Sequence, residues 1–151
     1  MSGTPDLDTL RQRLVGLKIG GRSVTVPPHE GIIGHRAFGW VAEEDTNLHP
    51  VWATLLGLRG MELSFERLFE LAEGSAADGI FFGEAGVDIT REITVGDTYQ
   101  VSGLITDIVR RHGRKAGTFD VLTFELYLKT PSGELAATAS NSFVFVRKDS
   151  A

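Results

Sequence analysis

From Leu122 to Lys129 the side chains alternate, with Leu122, Phe124, Leu126 and Leu128 on one face of an extended chain and Thr123, Glu125, Tyr127 and Lys129 on the other. A period of two is that of a half-buried antiparallel strand. The turn His112-Gly113-Arg114-Lys115-Ala116-Gly117 precedes it, and before that Tyr99, Val101, Leu104, Ile105, Ile108 and Val109 predict another long strand, bent near Gly103. Pro131-Ser132-Gly133 turns the chain into a last strand, in which Leu135, Ala137, Ala139, Asn141, Phe143 and Phe145 alternate with Ala136, Thr138, Ser140, Ser142, Val144 and Val146. Three long strands joined by hairpins make an antiparallel meander, whose apolar face needs a partner layer.

The stretch from Val51 to Gly74 supplies one. Val51-Trp52-Ala53-Thr54-Leu55-Leu56-Gly57-Leu58 is apolar, Ser64 is a good N-cap, Glu66 complements the helix dipole, and Phe65, Leu68, Phe69, Leu71 and Ala72 give a wide apolar face that Gly74 ends. Arg67 stands where a reciprocal capping box needs Glu or Gln. The expected architecture is α+β, an antiparallel sheet wrapped around the helical segment from about Val51 to Glu73. Leu55, Leu56, Leu68, Phe69, Leu104, Phe124, Leu126, Val144 and Val146 are its predicted core.

Upstream, Thr4-Pro5 with Asp6 and Asp8 predicts a helix start, with Leu7, Leu10, Leu14 and Val15 on one face until Gly20-Gly21. Arg22 to Val26 reads as a short strand stopped by Pro27-Pro28, which cannot directly enter a helix interior. From Glu30 to Ala42 the residues Ile32, Ile33, Ala37, Phe38, Trp40 and Val41 suit a helix, weakened by about 1 kcal/mol at each of Gly31, Gly34 and Gly39. Gly79, Gly83 and Gly86 around Ile80-Phe81-Phe82 read as a bend, and lack the strand-to-helix frame of a dinucleotide-binding turn.

A chain of 151 residues suits one domain and buries about two thirds of its unfolded surface without a staple. The absence of cysteine excludes disulfides, thiolate metal sites and a cysteine nucleophile. With a net charge of −5 and no basic stripe, no nucleic-acid partner is expected. No apolar run reaches membrane-spanning length and the N-terminus lacks a leader pattern, so a cytoplasmic location is expected. The four histidines are scattered without paired spacing, so no metal is predicted.

Titratable groups gather ahead of the apolar segment, in Glu43-Glu44-Asp45-Thr46-Asn47-Leu48-His49. Asp45, Asn47 and His49 form a candidate acid/base site, since a carboxylate and an imidazole four residues apart share a helix face or, in a loop, a water. Asp45 is also a good N-cap for a helix beginning near Leu48, and on sequence alone capping is the preferred reading. Gly57, Gly60 or an exposed amide at the start of the Ser64 helix are candidate donors to a carbonyl or developing enolate. Arg110, Arg111, Arg114 and Lys115 suit either phosphate contacts or a solvated hairpin tip.

The order of elements, with Asp45, Asn47 and His49 ahead of a buried helix and a meander that begins through Ile93-Thr94-Val95-Gly96-Asp97-Thr98-Tyr99, resembles the MaoC-like hydratase/dehydratase branch of the hot-dog superfamily, particularly its N-terminal half-modules. Gly103, Asp107, Gly113 and the run Thr130 to Thr138 continue the likeness, which covers roughly Val24 to Lys148. The resemblance implies one hot-dog domain over residues 1–151, residues 1–21 being an N-terminal helical extension. It implies an (R)-specific enoyl-thioester hydratase or 3-hydroxyacyl-thioester dehydratase, acting on acyl-CoA or acyl-carrier substrates with no metal or redox cofactor. Asp45 and His49 would handle the water, with Asn47 between them, and an amide near Gly60 or Met61 would hold the enolate oxygen. The family pattern Asp-x-Asn-Pro-x-His is here one residue shorter and lacks its proline, and the usual downstream acidic residue is absent from Pro50-Val51-Trp52-Ala53. Two alternatives follow: a non-catalytic acyl-binding subunit, or a thioesterase using Glu62 or Glu66. The resemblance also implies a dimer, with itself or with a second hot-dog subunit carrying the intact motif.

Overall fold

The computed structural model describes residues 3–40 and 47–148. The elements in chain order are α1 (Leu7–Leu14), β1 (Lys18–Ile19), β2 (Ser23–Thr25), α2 (Pro28–Phe38), α3 (Val51–Gly60), α4 (Phe65–Leu71), β3 (Ile80–Ile89), β4 (Thr98–Gly113), β5 (Gly117–Lys129) and β6 (Leu135–Arg147). The six strands form one sheet in the order β1-β4-β5-β6-β3, with β2 also paired to β4. Every pairing is antiparallel. The expected meander is β4, β5 and β6, and Leu122, Phe124, Leu126 and Leu128 are all fully buried. Helix α3 packs against β2 through β6, so the sheet curls around it in the hot-dog arrangement.

Helix propensity and capping explain the short elements. Asp6 caps α1 by accepting the Thr9 amide at 2.8 Å and the Thr9 hydroxyl at 2.7 Å, bonds that lower its carboxyl pKa. Ser64 caps α4 through the Arg67 amide, as predicted. Leu10 and Leu14 from α1 and Leu68 from α4 join Ile108, Phe124 and Phe145 of the sheet in one apolar cluster. A second cluster gathers Leu48, Trp52, Leu56, Ile93, Tyr99 and Leu128, and it carries the candidate site. At the far end of the sheet Asp120 is fully buried between Arg110 and Arg147, and Arg147 also donates to the carbonyls of Ala72 and Glu73. These bonds pin the C-terminal end of α4, and they take Arg110 out of the expected basic tip.

Several expectations change. Helix α1 stops at Leu14, Val15 is exposed, and Lys18–Ile19 is a strand rather than more helix. Helix α2 begins at Pro28 and ends at Phe38 where Glu30 to Ala42 was expected; Pro27 occupies the N-cap and Pro28 the first turn, where a missing N–H costs no hydrogen bond. Residues Phe81 and Phe82 lie within β3, and the irregularity is a bulge between Phe82 and Ala85. The bend expected at Gly103 is a second bulge, with Thr106 standing between the paired Ile105 and Asp107. Leu104, Val144 and Val146 are half-buried on the outer face of the sheet, and Leu55 is 38% exposed. Their neighbours Ile105, Phe143, Phe145 and Leu56 take the inner positions.

Candidate active site

Two packed elements bring the site together. The sequence between β3 and β4 runs antiparallel to the chain entering α3, with Asn47 bridged to Thr94 and the Leu48 amide donating to the Ile93 carbonyl at 2.8 Å. Burial of Leu48 and Ile93 in the second cluster explains why this short pairing persists away from the sheet. The Tyr99 hydroxyl accepts the Thr94 amide at 2.9 Å and so fastens the segment to β4. Burial pushes the Tyr99 phenol pKa up, because the phenolate would lose its hydration.

Helix α2 closes the site from the other side, by a packing that its apolar residues do not suggest. Its contact face is Gly31 and Gly34, while Ile32 and Ile33 point to solvent. A methyl group on Gly34 would come within 3.0 Å of the Trp52 ring, and one on Gly31 within 2.7 Å of Val95. This close approach needs glycine. It also sets His35 within reach of the site: its Nε2 lies 2.9 Å from the Asn47 carbonyl, and since a carbonyl only accepts, Nε2 carries the proton.

His49 lies just ahead of α3, where its carbonyl accepts the Trp52 amide at 2.9 Å. Its Nδ1 accepts the Val51 amide at 3.1 Å, so in the neutral ring the proton sits on Nε2 and that nitrogen is a donor. Trp40 packs edge-on to the imidazole at 4.9 Å between centroids and Phe38 lies at 5.4 Å, so the ring is oriented from two sides. Asn47 completes the group, its Nδ2 donating to the Glu92 carboxylate. Asp45 lies outside the described residues.

Asn47 and His49 both lie on the chain entering α3, and Gly60 and Met61 lie elsewhere. Both stand at the C-terminal end of α3, about 15 Å along the helix from His49 at 1.5 Å per residue. Met61 already donates its amide to the Gly57 carbonyl at 3.0 Å, and Gly60 is buried against Val101 and Val24. A helix C-terminus presents carbonyls, so an enolate there would meet negative partial charge. Glu62 also lies at this end, its amide bonded to the Gly20 carbonyl, and Glu66 is exposed in the first turn of α4. Among the described residues no three His, Asp or Glu side chains converge as a metal site requires.

His35 and Glu92 were not singled out as site residues from sequence. Glu92 is 45 positions from Asn47, and only the packed structure joins them. A separate trough of about 430 Å³, lined by Gly86, Val87, Asp88, Glu125, Tyr127, Thr138 and Ser140, lies on the outer face of the sheet. There Tyr127 donates to Glu125 at 2.7 Å, which with burial pushes the phenol pKa up to about 12. It is turned away from α3.

In three dimensions the chain is similar to a chain of the ChsH1-ChsH2 complex from Mycobacterium tuberculosis, with a TM-score of 0.70 and 13% identity over 95% of this chain and 92% of that one. It is also similar to a chain of the C-terminally truncated HadBC (3R-hydroxyacyl-ACP dehydratase) complex from the same organism, with a TM-score of 0.66 and 14% identity over 87% and 96% of the two chains. A MaoC-like dehydratase matches with a TM-score of 0.68 and 20% identity, over 91% of this chain but 43% of its own. No protein-family model and no curated protein matches the sequence. The shared property is the fold: the chain has the hot-dog fold of the MaoC-like dehydratases.

Proposed function

We propose that the chain is an (R)-specific enoyl-thioester hydratase, or in the reverse direction a 3-hydroxyacyl-thioester dehydratase, working on coenzyme A or carrier-protein thioesters in the cytoplasm. The observation that carries this reading is His49, held by the Val51 amide so that Nε2–H is a donor, beside Asn47 at the mouth of the buried helix of a hot-dog fold. In hydration the water oxygen bonds to C3 of the enoyl group while His49 Nε2–H holds that oxygen. Asp45 takes the water's proton, and the Asp45 and His49 pair hands one proton on to C2, so a whole water is added and no proton is left over. Dehydration runs the same steps backwards.

Purified protein should abolish the conjugated enoyl-thioester absorbance, and Asp45→Asn or His49→Ala should lower kcat by about 10²- to 10⁴-fold, the usual range for a general acid or base. Unchanged turnover in both variants would remove these residues from the mechanism. Release of free thiol without loss of the enoyl chromophore would point to a thioesterase instead.

A second reading rests on the motif itself. His49 follows Asp45 by four positions with no proline between them, whereas the active pattern has both a proline and one more residue. In that reading the chain shapes an acyl pocket beside a second hot-dog subunit that does the chemistry. The exposed edge of β3 supports pairing in either case. Full activity of the protein with itself would defeat the heteromeric form.

A further inference from the structure

We propose that Glu92 is a positioning residue for this site, setting which end of the Asn47 amide meets the substrate; the role rests on the hydratase reading above. An asparagine side chain has two ends of nearly the same shape and opposite hydrogen-bonding sense, and nothing in its own geometry selects between them. A carboxylate only accepts, so Glu92 fixes Nδ2 on its own side and turns Oδ1 the other way. The rest of Asn47 is already fastened, its carbonyl by His35 Nε2–H and its backbone by the bridge to Thr94. Rotation about its own side-chain bonds is the freedom Glu92 removes. With Oδ1 turned from Glu92, the residue offers an acceptor for a water or hydroxyl proton, and two positions on His49 Nε2–H offers a donor. One acceptor and one donor are what it takes to hold a water with a defined lone pair toward C3. Glu92 itself is exposed and sits on the connection between β3 and β4, outside both apolar clusters, so the core does not require it.

The test compares Glu92→Ala, Glu92→Gln and Glu92→Lys. Glutamine keeps an acceptor oxygen without the charge, alanine removes the acceptor, and lysine presents a donor that turns the amide round. On an enoyl thioester, E92A should lower kcat by about ten- to a hundredfold with KM little changed, the cost of losing a hydrogen bond to a charged group. E92K should be at least as slow, and E92Q should recover most of the rate. In an Asn47→Ala background E92A should cost nothing further, because the effect passes through Asn47. Wild-type kcat in E92A, or an E92Q as slow as E92A, overturns the proposal. A second readout needs no turnover. The side-chain NH₂ resonances of Asn47, identified by their loss in N47A, should shift in E92A and hold in E92Q, and an unmoved pair in E92A overturns the proposal whatever the activity. A wild-type protein that converts no enoyl or 3-hydroxyacyl thioester defeats the hydratase reading and, with it, any effect of Glu92 on turnover, while the NMR result still decides whether Glu92 sets the amide.

Discussion

β3 and β6 are neighbours in one sheet, paired from Ile80 with Phe145 to Ile89 with Ala137, yet they live in different solvents. β6 buries Ala137, Ala139, Asn141, Phe143, Phe145 and Arg147 on its inner face, whereas every residue of β3 from Phe81 to Asp88 is exposed. The contrast is not one of composition, since β3 carries Phe81, Phe82 and Val87. β6 has β5 on its other side, while β3 ends the sheet. A ten-residue edge strand with exposed aromatics suits association by its physics, because it offers unpaired backbone groups and apolar side chains together. If stability is concentrated in β6 and recognition in β3, substitutions should separate the two.

The largest effect belongs to β6. Phe145 is fully buried, meets Phe69 edge-on at 5.8 Å and lies under the Arg147 guanidinium at 5.5 Å. Phe145→Ala should cost about 3 to 5 kcal/mol, from lost burial and the cavity left behind. That is a large share of the about 5 to 15 kcal/mol that holds a domain folded. Urea unfolding monitored by tryptophan fluorescence would show it as a lowered midpoint, and a cost under about 1 kcal/mol would break the assignment of stability to β6.

This asymmetry was only partly legible in the sequence. β5 was plain because its two faces differ in kind, leucines and phenylalanine against Thr123, Glu125, Tyr127 and Lys129. β6 carries apolar residues on both faces, so alternation alone did not say that Phe143 and Phe145 turn inward rather than Val144 and Val146. Helix α3 is apolar around most of its circumference, so its pattern does not mark Leu55 as the exposed position either. Helix α2 failed differently: periodicity weighs side chains, and its buried face consists of glycines that have none. At the candidate site the cluster Asp45, Asn47 and His49 is legible because its members are close in sequence. The partners that orient them, His35, Glu92, Thr94 and Tyr99, come from other elements, and no local pattern announces a contact made only by folding.

A smaller effect tests the junction of the two strands. At the bulge in β3 the Glu84 amide has slipped out of the backbone ladder and donates to Ser142 Oγ of β6 at 2.7 Å. Ser142→Ala leaves that N–H to find water, a loss of about 1 kcal/mol. Hydrogen exchange at the Glu84 amide should speed up while amides in the middle of β5 keep their protection. If the whole sheet loosened equally, β3 would be as integral to the fold as β6.

The smallest effect on folding should accompany the largest on assembly. Phe81 is 60% exposed and sits on the outer face of β3, opposite Val144, so Phe81→Lys should change the stability of the chain by no more than about 0.5 kcal/mol. Lysine on an edge strand is one of the devices by which proteins prevent edges from pairing. If β3 is the surface through which this chain meets a second copy or another hot-dog subunit, light scattering should fall from a dimer's mass toward the 16.4 kDa of one chain. Denaturant midpoints extrapolated to low protein concentration, where mass action no longer favours the dimer, should coincide for the two proteins. A variant that remains dimeric would place the interface away from β3, and a wild-type chain that stays monomeric with and without a hot-dog partner would leave the exposed phenylalanines with another role. A variant that unfolds would show that Phe81 supports the monomer after all, and the separation of stability into β6 and recognition into β3 would be lost.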